Sequence, residues 1–171
     1  MKGTFSAGND CIKNCILNPN LMHNRYNGDY TYYNLWSADN KTTSANDNPV
    51  NKTIYDPCPV GFKLPASNAF TGFTTTGESV SSSTQVNWSS SEKGWYFYTN
   101  SEKTQSIFFP ALGYRSYSTM RPGSIGTQGC FWSAHPVAKG NNYYLRTSSV
   151  DVQPTYMVDR GFGYALRPCQ D

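Results

Sequence analysis

The apolar residues of this chain come in short runs closed by turn signals, and no stretch carries the repeating stripe of a long amphipathic helix. Trp95-Tyr96-Phe97-Tyr98 and Ile107-Phe108-Phe109-Pro110 flank Asn100-Ser101-Glu102-Lys103, which reads as a β-hairpin at the centre of a sheet. Further strand-like runs fall at 130–133, 142–147 and 162–166. Lys52-Thr53-Ile54-Tyr55 reads as a short strand stopped by Asp56-Pro57-Cys58-Pro59, whose prolines forbid continuation of a ladder. Pro65-Ala66-Ser67-Asn68-Ala69-Phe70 opens with a proline suited to a first helical turn and is the best candidate for a short helix. Residues 74–93, rich in Thr and Ser, read as loop. These readings give an α+β fold with short antiparallel strands, long loops and one or two short helices; no alternation of long helices and strands suggests βαβ units.

A length of 171 residues suits a single domain with one core. Residues 1–50 form a polar segment broken by Asn18-Pro19-Asn20 and Asn27-Gly28-Asp29. Its aromatic cluster Tyr30, Tyr32, Tyr33, Leu35 and Trp36 is too apolar for water and is expected to pack the segment onto the main body, 51–171. No run approaches the roughly 18 apolar residues of a membrane span. The start, Met1 to Ser6, has no apolar signal core, so the chain is either cytosolic as made or trimmed from a longer protein; trimming is expected, because polar, Tyr-rich, loop-rich domains usually work outside cells.

Function classes narrow from composition. The 14 basic and 11 acidic residues are scattered, which leaves no concentrated patch for nucleic acid. The only histidines, His23 and His135, lie in no nucleophile motif, so catalysis is not expected. Carboxylates stand isolated in turns at Asp29, Asp39, Asp47 and Asp56, Asp151 and Asp159 are the nearest thing to a shared cation site, and no cofactor or metal is expected. The cysteines at 11, 15, 58, 130 and 169 show no CxxC pair, which favours disulfides over zinc. A Cys58–Cys169 bridge would constrain the unfolded chain by roughly 4 to 5 kcal/mol. Cys11–Cys15 would be a local staple, and the connectivity stays open. What remains is a loop chemistry of Tyr, Ser, Asn and Gly with occasional Trp and Arg, as in paratopes.

The order of motifs is more specific than any one of them. Residues 52–65, with Asp56-Pro57-Cys58-Pro59-Val60-Gly61-Phe62 at their centre, are followed by Gly94-Trp95-Tyr96-Phe97-Tyr98-Thr99, Ile107 to Ala111, Gly113-Tyr114-Arg115 and Trp132-Ser133, then by Arg160, Gly163, Leu166 and Arg167 as RxxGxxLR. Together with Tyr32-Tyr33-Asn34-Leu35-Trp36, this series resembles the Fibrobacter-succinogenes-type major paralogous domain of fimbrillin-like surface proteins and lipoproteins of Bacteroides-type bacteria. The resemblance covers nearly everything after about residue 26. It implies a C-type-lectin-like fold, export, surface anchoring and adhesion, with Asp56, Pro57, Gly61, Pro65, Trp132, Gly163 and Arg167 as scaffold. Pro168 displaces the late cysteine by one residue from the family's usual place, which leaves the Cys58–Cys169 bridge open, and Cys130 is the candidate free thiol. Calcium-dependent lectins need a Pro-centred acidic or amide motif; Gln153-Pro154-Thr155 lacks the carboxylates, so binding is expected not to need calcium. The C-terminal region also resembles the variable region of retroelement-diversified receptors of this fold.

The expected contact surface is built from residues 133–144 and 153–162, with Thr155 to Asp159 on one short loop. Tyr156 and Phe162 are its aromatic anchors, and His135, Lys139, Asn142, Tyr144, Thr155, Met157 and Asp159 complete it. The expected partner is a protein or glycan on another cell or surface, met by a bacterial surface protein or a phage particle, with a larger assembly around the chain. The rivals are a fimbrial structural subunit and an enzyme related to formylglycine-generating oxidases, for which Cys130 and Cys169 would be the reactive pair.

Overall fold

A computed structural model describes residues 4–21, 23–26, 34–39, 42–81, 87–138 and 140–171. At the N-terminus, strand β1 (Thr4–Ala7), helix α1 (Gly8–Leu17) and strand β2 (His23–Tyr26) form a small unit in which the strands pair in parallel. This departs from the expected all-antiparallel pairing and from the absence of βαβ units. Asp10 favours the first turn of α1 electrostatically, and Pro19 stops it just after Asn18, whose amide caps the Asn14 carbonyl at 3.3 Å. The helix escapes a search for long amphipathic stripes because it is short, although Cys11, Ile12, Cys15 and Ile16 recur at helical spacing; Ile16 and Leu17 are exposed.

The remaining strands are antiparallel and short, as the run lengths predict, and the class is α+β. They are β3 (Phe62–Lys63), β4 (Trp88–Ser89), β5 (Gly94–Tyr98), β6 (Ser106–Pro110), β7 (Tyr114–Arg115), β8 (Pro122–Gly123), β9 (Gln128–Ala138), β10 (Asn141–Ser148), β11 (Val152–Asp159) and β12 (Cys169–Gln170). β4-β5-β6 and β9-β10-β11 are the larger sheets, while β7 pairs β8 and β12 pairs β3. The predicted hairpin is β5-β6, with Trp95 opposite Phe109 and Phe97 opposite Ile107. The predicted helix is a 3-10 helix over Ser67–Phe73. Residues 52–55 are not a strand: Lys52 makes one bridge to Ser37, and the chain then turns. Residues 162–166 likewise hold only bridges, Gly163 to Arg115 and Ala165 to Phe131.

Alternation along these strands sorts the apolar side chains onto opposite sides of the β9-β10-β11 sheet. Phe131, Leu145 and Val152 meet Phe70, Trp95, Phe97 and Phe109 in the main core. Phe109 sits edge-on to Phe70, Phe97 and Phe131 at 6.3, 5.4 and 5.0 Å, the arrangement that ring quadrupoles favour. Trp95 donates its indole N–H to the Ser148 carbonyl at 2.7 Å, tying the two larger sheets together. On the other side, Cys130, Trp132 and Tyr144 collect Trp36, Tyr114, Val158, Phe162, Tyr164 and Leu166. Trp36 does pack onto the main body, as expected, whereas Tyr30, Tyr32 and Tyr33 lie outside the described residues.

Prolines deform the β9-β10-β11 sheet. Between Gln153↔Arg146 and Tyr156↔Tyr144, β11 uses one residue more than β10, and the surplus falls at Pro154, which has no N–H to give a ladder. A larger surplus in β9 surrounds Pro136, with two register shifts between Ala138↔Asn141 and Trp132↔Tyr144. There the chain turns Ser133, Ala134 and His135 inward, and Ala134 N–H bonds the Pro65 carbonyl at 2.8 Å.

Below this sheet, a buried carboxylate fixes the Asp56-Pro57-Cys58-Pro59 turn. Asp56 Oδ1 accepts from Lys52 Nζ at 2.9 Å and from Cys58 N–H at 2.8 Å, and its Oδ2 accepts from Leu64 N–H at 3.1 Å. Burial alone would raise this carboxyl, but the Lys52 bond and the two backbone N–H groups outweigh it and hold the pKa below its ordinary value.

Candidate functional site

Cross-strand register places Trp132, Tyr144 and Tyr156 side by side on β9, β10 and β11. Their rings touch in sequence, Trp132 to Tyr144 at 5.8 Å and Tyr144 to Tyr156 at 5.6 Å. The row runs from interior to surface: Trp132 and Tyr144 are each 4% exposed and Tyr156 45%. Tyr164 covers the buried end, stacked on Trp132 at 4.5 Å and tilted on Tyr144 at 4.6 Å.

The outer ring is held by a cation. Arg146, two residues from Tyr144 and so on the same strand face, places its guanidinium 5.6 Å from the centre of the Tyr156 ring. Its Nη1 donates to Asp151 Oδ2 at 2.9 Å and to Gln153 Oε1 at 3.1 Å, and Asp151 also accepts from the Ser148 hydroxyl. Asp151 is therefore the counter-ion of Arg146. At the buried end of the row, Phe162 is tilted on Tyr164 at 5.4 Å and sits edge-on to Tyr114 at 5.4 Å and to Tyr117 at 4.9 Å.

Of the residues expected to meet a ligand, Tyr156 and Met157 are exposed, at 45% and 53%. Thr155, Asp159 and Phe162 are half-buried, and Asp159 Oδ1 accepts Gly161 N–H at 2.9 Å, closing the turn after β11. Residues 155–159 form a strand instead of a loop, because their pairing with Asn141 to Tyr144 supplies a ladder that no local signal reveals. Lys139 lies outside the described residues.

Three expected contacts are interior side chains and must be withdrawn from the surface. His135 is 1% exposed; the bulge at Pro136 turns it inward, where Nδ1 accepts Ser67 N–H at 3.3 Å. Asn142 is buried and donates to the Ser133 carbonyl at 2.7 Å, making a bond that the irregular ladder leaves out. Tyr144 is the middle of the aromatic row. Burial pushes the Tyr144 and Tyr164 phenols well up.

The cysteines call for a second correction. Cys58, Cys130 and Cys169 are free thiols, so the Cys58–Cys169 bridge is not formed; Cys169 in β12 instead directs its sulfur to the Lys63 carbonyl at 3.5 Å. The free thiol expected at Cys130 is present, and burial pushes it up to about 12. Cys58 is also pushed up to about 12, first by burial and then by the Asp56 carboxylate. The side chain of Cys11 lies outside the described residues, and with it the Cys11–Cys15 staple.

The sequence reading missed Arg146, Asp151 and Tyr164 as the supports of the exposed ring. The i, i+2 spacing of Tyr144 and Arg146 within one strand, and Asp151 close behind them in the turn to β11, were the available signals; Tyr164 reaches the site through tertiary folding alone. Among the described residues no group of three or more His, Cys, Asp or Glu could hold a metal ion, and no helix is long and apolar enough to cross a membrane. Comparison with known protein families, characterised proteins and solved structures finds no match to this chain.

Proposed function

We propose that this chain is a ligand-binding, adhesin-type domain of the C-type-lectin-like kind, related to the Fibrobacter-type surface domains and working outside the cell on a bacterial surface or a phage particle. The observation that carries the reading is the state of Tyr156. Its ring is solvent-exposed, yet it is fixed on one side by Tyr144 and covered by Arg146. A large aromatic already held in place loses little entropy on binding, which is what a contact residue needs. Met157 beside it supplies an adaptable apolar contact. Calcium is not required, because Asp151 is committed to Arg146.

An enzymatic reading has less support. The buried Cys130 thiol is pushed up to about 12, and His135 sits inside the protein, so neither offers a nucleophile or base to a substrate. The diversified-receptor reading is favoured by one feature. Tyr156 and Met157 are exposed on a paired strand whose neighbour β10 carries the core residues Tyr144 and Leu145, so the outer residues can be exchanged with the core left in place.

Replacing Tyr156 and Met157 together by alanine tests the proposal, with binding scored on glycan and surface-protein displays and stability by thermal melting. Loss of binding with little change in melting temperature is the expected result. Equal loss of both would make these residues structural and end the proposal.

A further inference from the structure

A second exposed tyrosine lies elsewhere, beside a cleft of about 290 Å³ between the end of the 3-10 helix and β5. β4 covers only the first part of β5, pairing Trp88 with Trp95 and Ser89 with Gly94. Asn87 carbonyl still accepts Tyr96 N–H at 3.0 Å, and the cleft lies beside Phe97 and Tyr98. Phe73, Thr74, Asn87, Tyr96, Tyr98 and Lys103 line it. Phe73 is stacked on Phe97 at 4.0 Å, which anchors the floor to the core.

The cation at its rim is held by design of the hairpin. Asn100 Oδ1 accepts Thr104 N–H at 3.0 Å and Gln105 N–H at 3.2 Å, while its amide donates to the Thr104 hydroxyl at 2.6 Å. Within that turn Lys103 adopts φ 56°, a left-handed conformation unusual for a residue with a side chain. Its Nζ lies 5.7 Å from the centre of the Tyr98 ring, which is 46% exposed. Among the described residues Lys103 has no carboxylate partner. Glu92 does not line the cleft; it accepts from the Tyr96 hydroxyl at 2.8 Å and from Ser89 Oγ at 3.0 Å.

The combination selects a ligand class. A cleft near the ~300 Å³ lower bound of small-molecule sites has room for one sugar-sized ring. Exposed Tyr98 offers an aromatic face to that ring, the Asn87 amide offers a polar partner for hydroxyl groups, and Thr74 Oγ1, whose own proton goes to the Glu78 carbonyl at 2.9 Å, can accept from one. Lys103 offers a charge to an anion and repels the quaternary ammonium groups that aromatic cages otherwise attract. A phosphate would call for a bidentate Arg or a nest of N–H groups, and among the described residues neither lines the cleft. We infer that the cleft between the 3-10 helix and β5 binds a carboxylated pyranose, a uronic or sialic acid, with Lys103 on the carboxylate and Tyr98 against the ring.

The test is a titration of the full chain, followed by amide NMR, with D-galacturonate, N-acetylneuraminate, D-galactose and acetate. The expected result is that one or both acid sugars move the resonances of Asn87, Tyr98 and Lys103 while galactose and acetate leave them in place. K103Q should weaken this binding roughly tenfold, the scale of one lost charged hydrogen bond. K103G, which suits the left-handed turn without strain, should do the same and so guards against misfolding as the cause. Equal shifts from galactose, equal shifts from acetate, or retention of affinity in K103G would each overturn the assignment. So would silence at about 10 mM probe, where even a ~1 mM site would be close to saturated.

Discussion

Truncating Asp56 to alanine should be among the most damaging single changes in this protein, and the structure sets the size of the loss. The Asp56 side chain is fully shielded from solvent and satisfies three donors, Lys52 Nζ, Cys58 N–H and Leu64 N–H. Without it, two backbone N–H groups in buried surroundings lose their acceptor, at about 1 to 3 kcal/mol each. Lys52 suffers less, because it is 21% exposed and keeps its 2.7 Å bond to the Cys58 carbonyl. The total falls at about 3 to 5 kcal/mol, the usual range for breaking a buried pair from one side. For a chain of this size that corresponds to a melting temperature lower by roughly 6 to 20 °C. Urea unfolding of D56A against wild type gives the number directly. D56N should fall between the two, since an amide oxygen can still serve the Lys52 and Cys58 donors while its N–H₂ meets Leu64 N–H, donor against donor. A K52M change should cost less than D56A, because it leaves both backbone bonds in place. A loss under about 1 kcal/mol in D56A would refute the reasoning, for it would mean that these N–H groups find water or another acceptor at little cost. The sign with pH follows from the lowered pKa: this stabilisation is complete above the unfolded value of 3.8 and drains away as pH falls through the folded one.

Other consequences can be checked separately. His135 is held below its usual pKa, mainly by burial, against the opposing influence of Asp39, the Asn46 backbone and Asp47. Its contribution is therefore full above pH 6.5 and is lost as pH falls toward the folded value, a slope that H135N should flatten in chemical denaturation at pH 7.5 and 5.5. Gly113 sits at φ 69° with its missing Cβ 2.3 Å from the Gly123 carbonyl, so G113A should lose more than about 1 kcal/mol in the same assay. Cys130, 1% exposed and pushed up to about 12, should resist a thiol reagent in the native protein and react when urea unfolds it. Rapid native labelling at Cys130, read by mass spectrometry, would contradict the packing around Trp132 and Tyr144.

What the sequence made legible was local. The hairpin of β5 and β6 was readable because strand runs and a turn signal are adjacent in the chain, and the 3-10 helix because Pro65 announces it. What stayed hidden depends on partners far along the chain. His135 looked like a loop residue because nothing near it says that a bulge at Pro136 will aim it at Ser67, 68 residues away. Thr155 to Asp159 looked like a loop because its ladder belongs to β10, and the exposed end of the chain's aromatic row could not be told from its buried middle. Helix α1 was missed for a different reason: it is local, but it is too short to carry the long amphipathic stripe sought, although Cys11, Ile12, Cys15 and Ile16 recur at helical spacing.

Both candidate surfaces use the same device, an exposed tyrosine with a cation over its ring, and the difference between them predicts what each will accept. At Tyr156 the cation is Arg146, whose charge Asp151 already answers within the fold. Arg146 is there to position, and the surface it presents is a fixed ring beside Met157, suited to a flat and largely neutral partner. At Tyr98 the cation is Lys103, which no carboxylate among the described residues answers. A charge left unanswered beside a small cleft favours an anion by attraction that salt weakens, whereas contact with a fixed ring depends on apolar area and is nearly indifferent to salt. Raising ionic strength should therefore separate the two. Binding lost in Y156A and M157A should survive added salt, and acid-sugar binding lost in K103G should fade with it; the reverse pattern would assign the charges and the rings to the wrong surfaces.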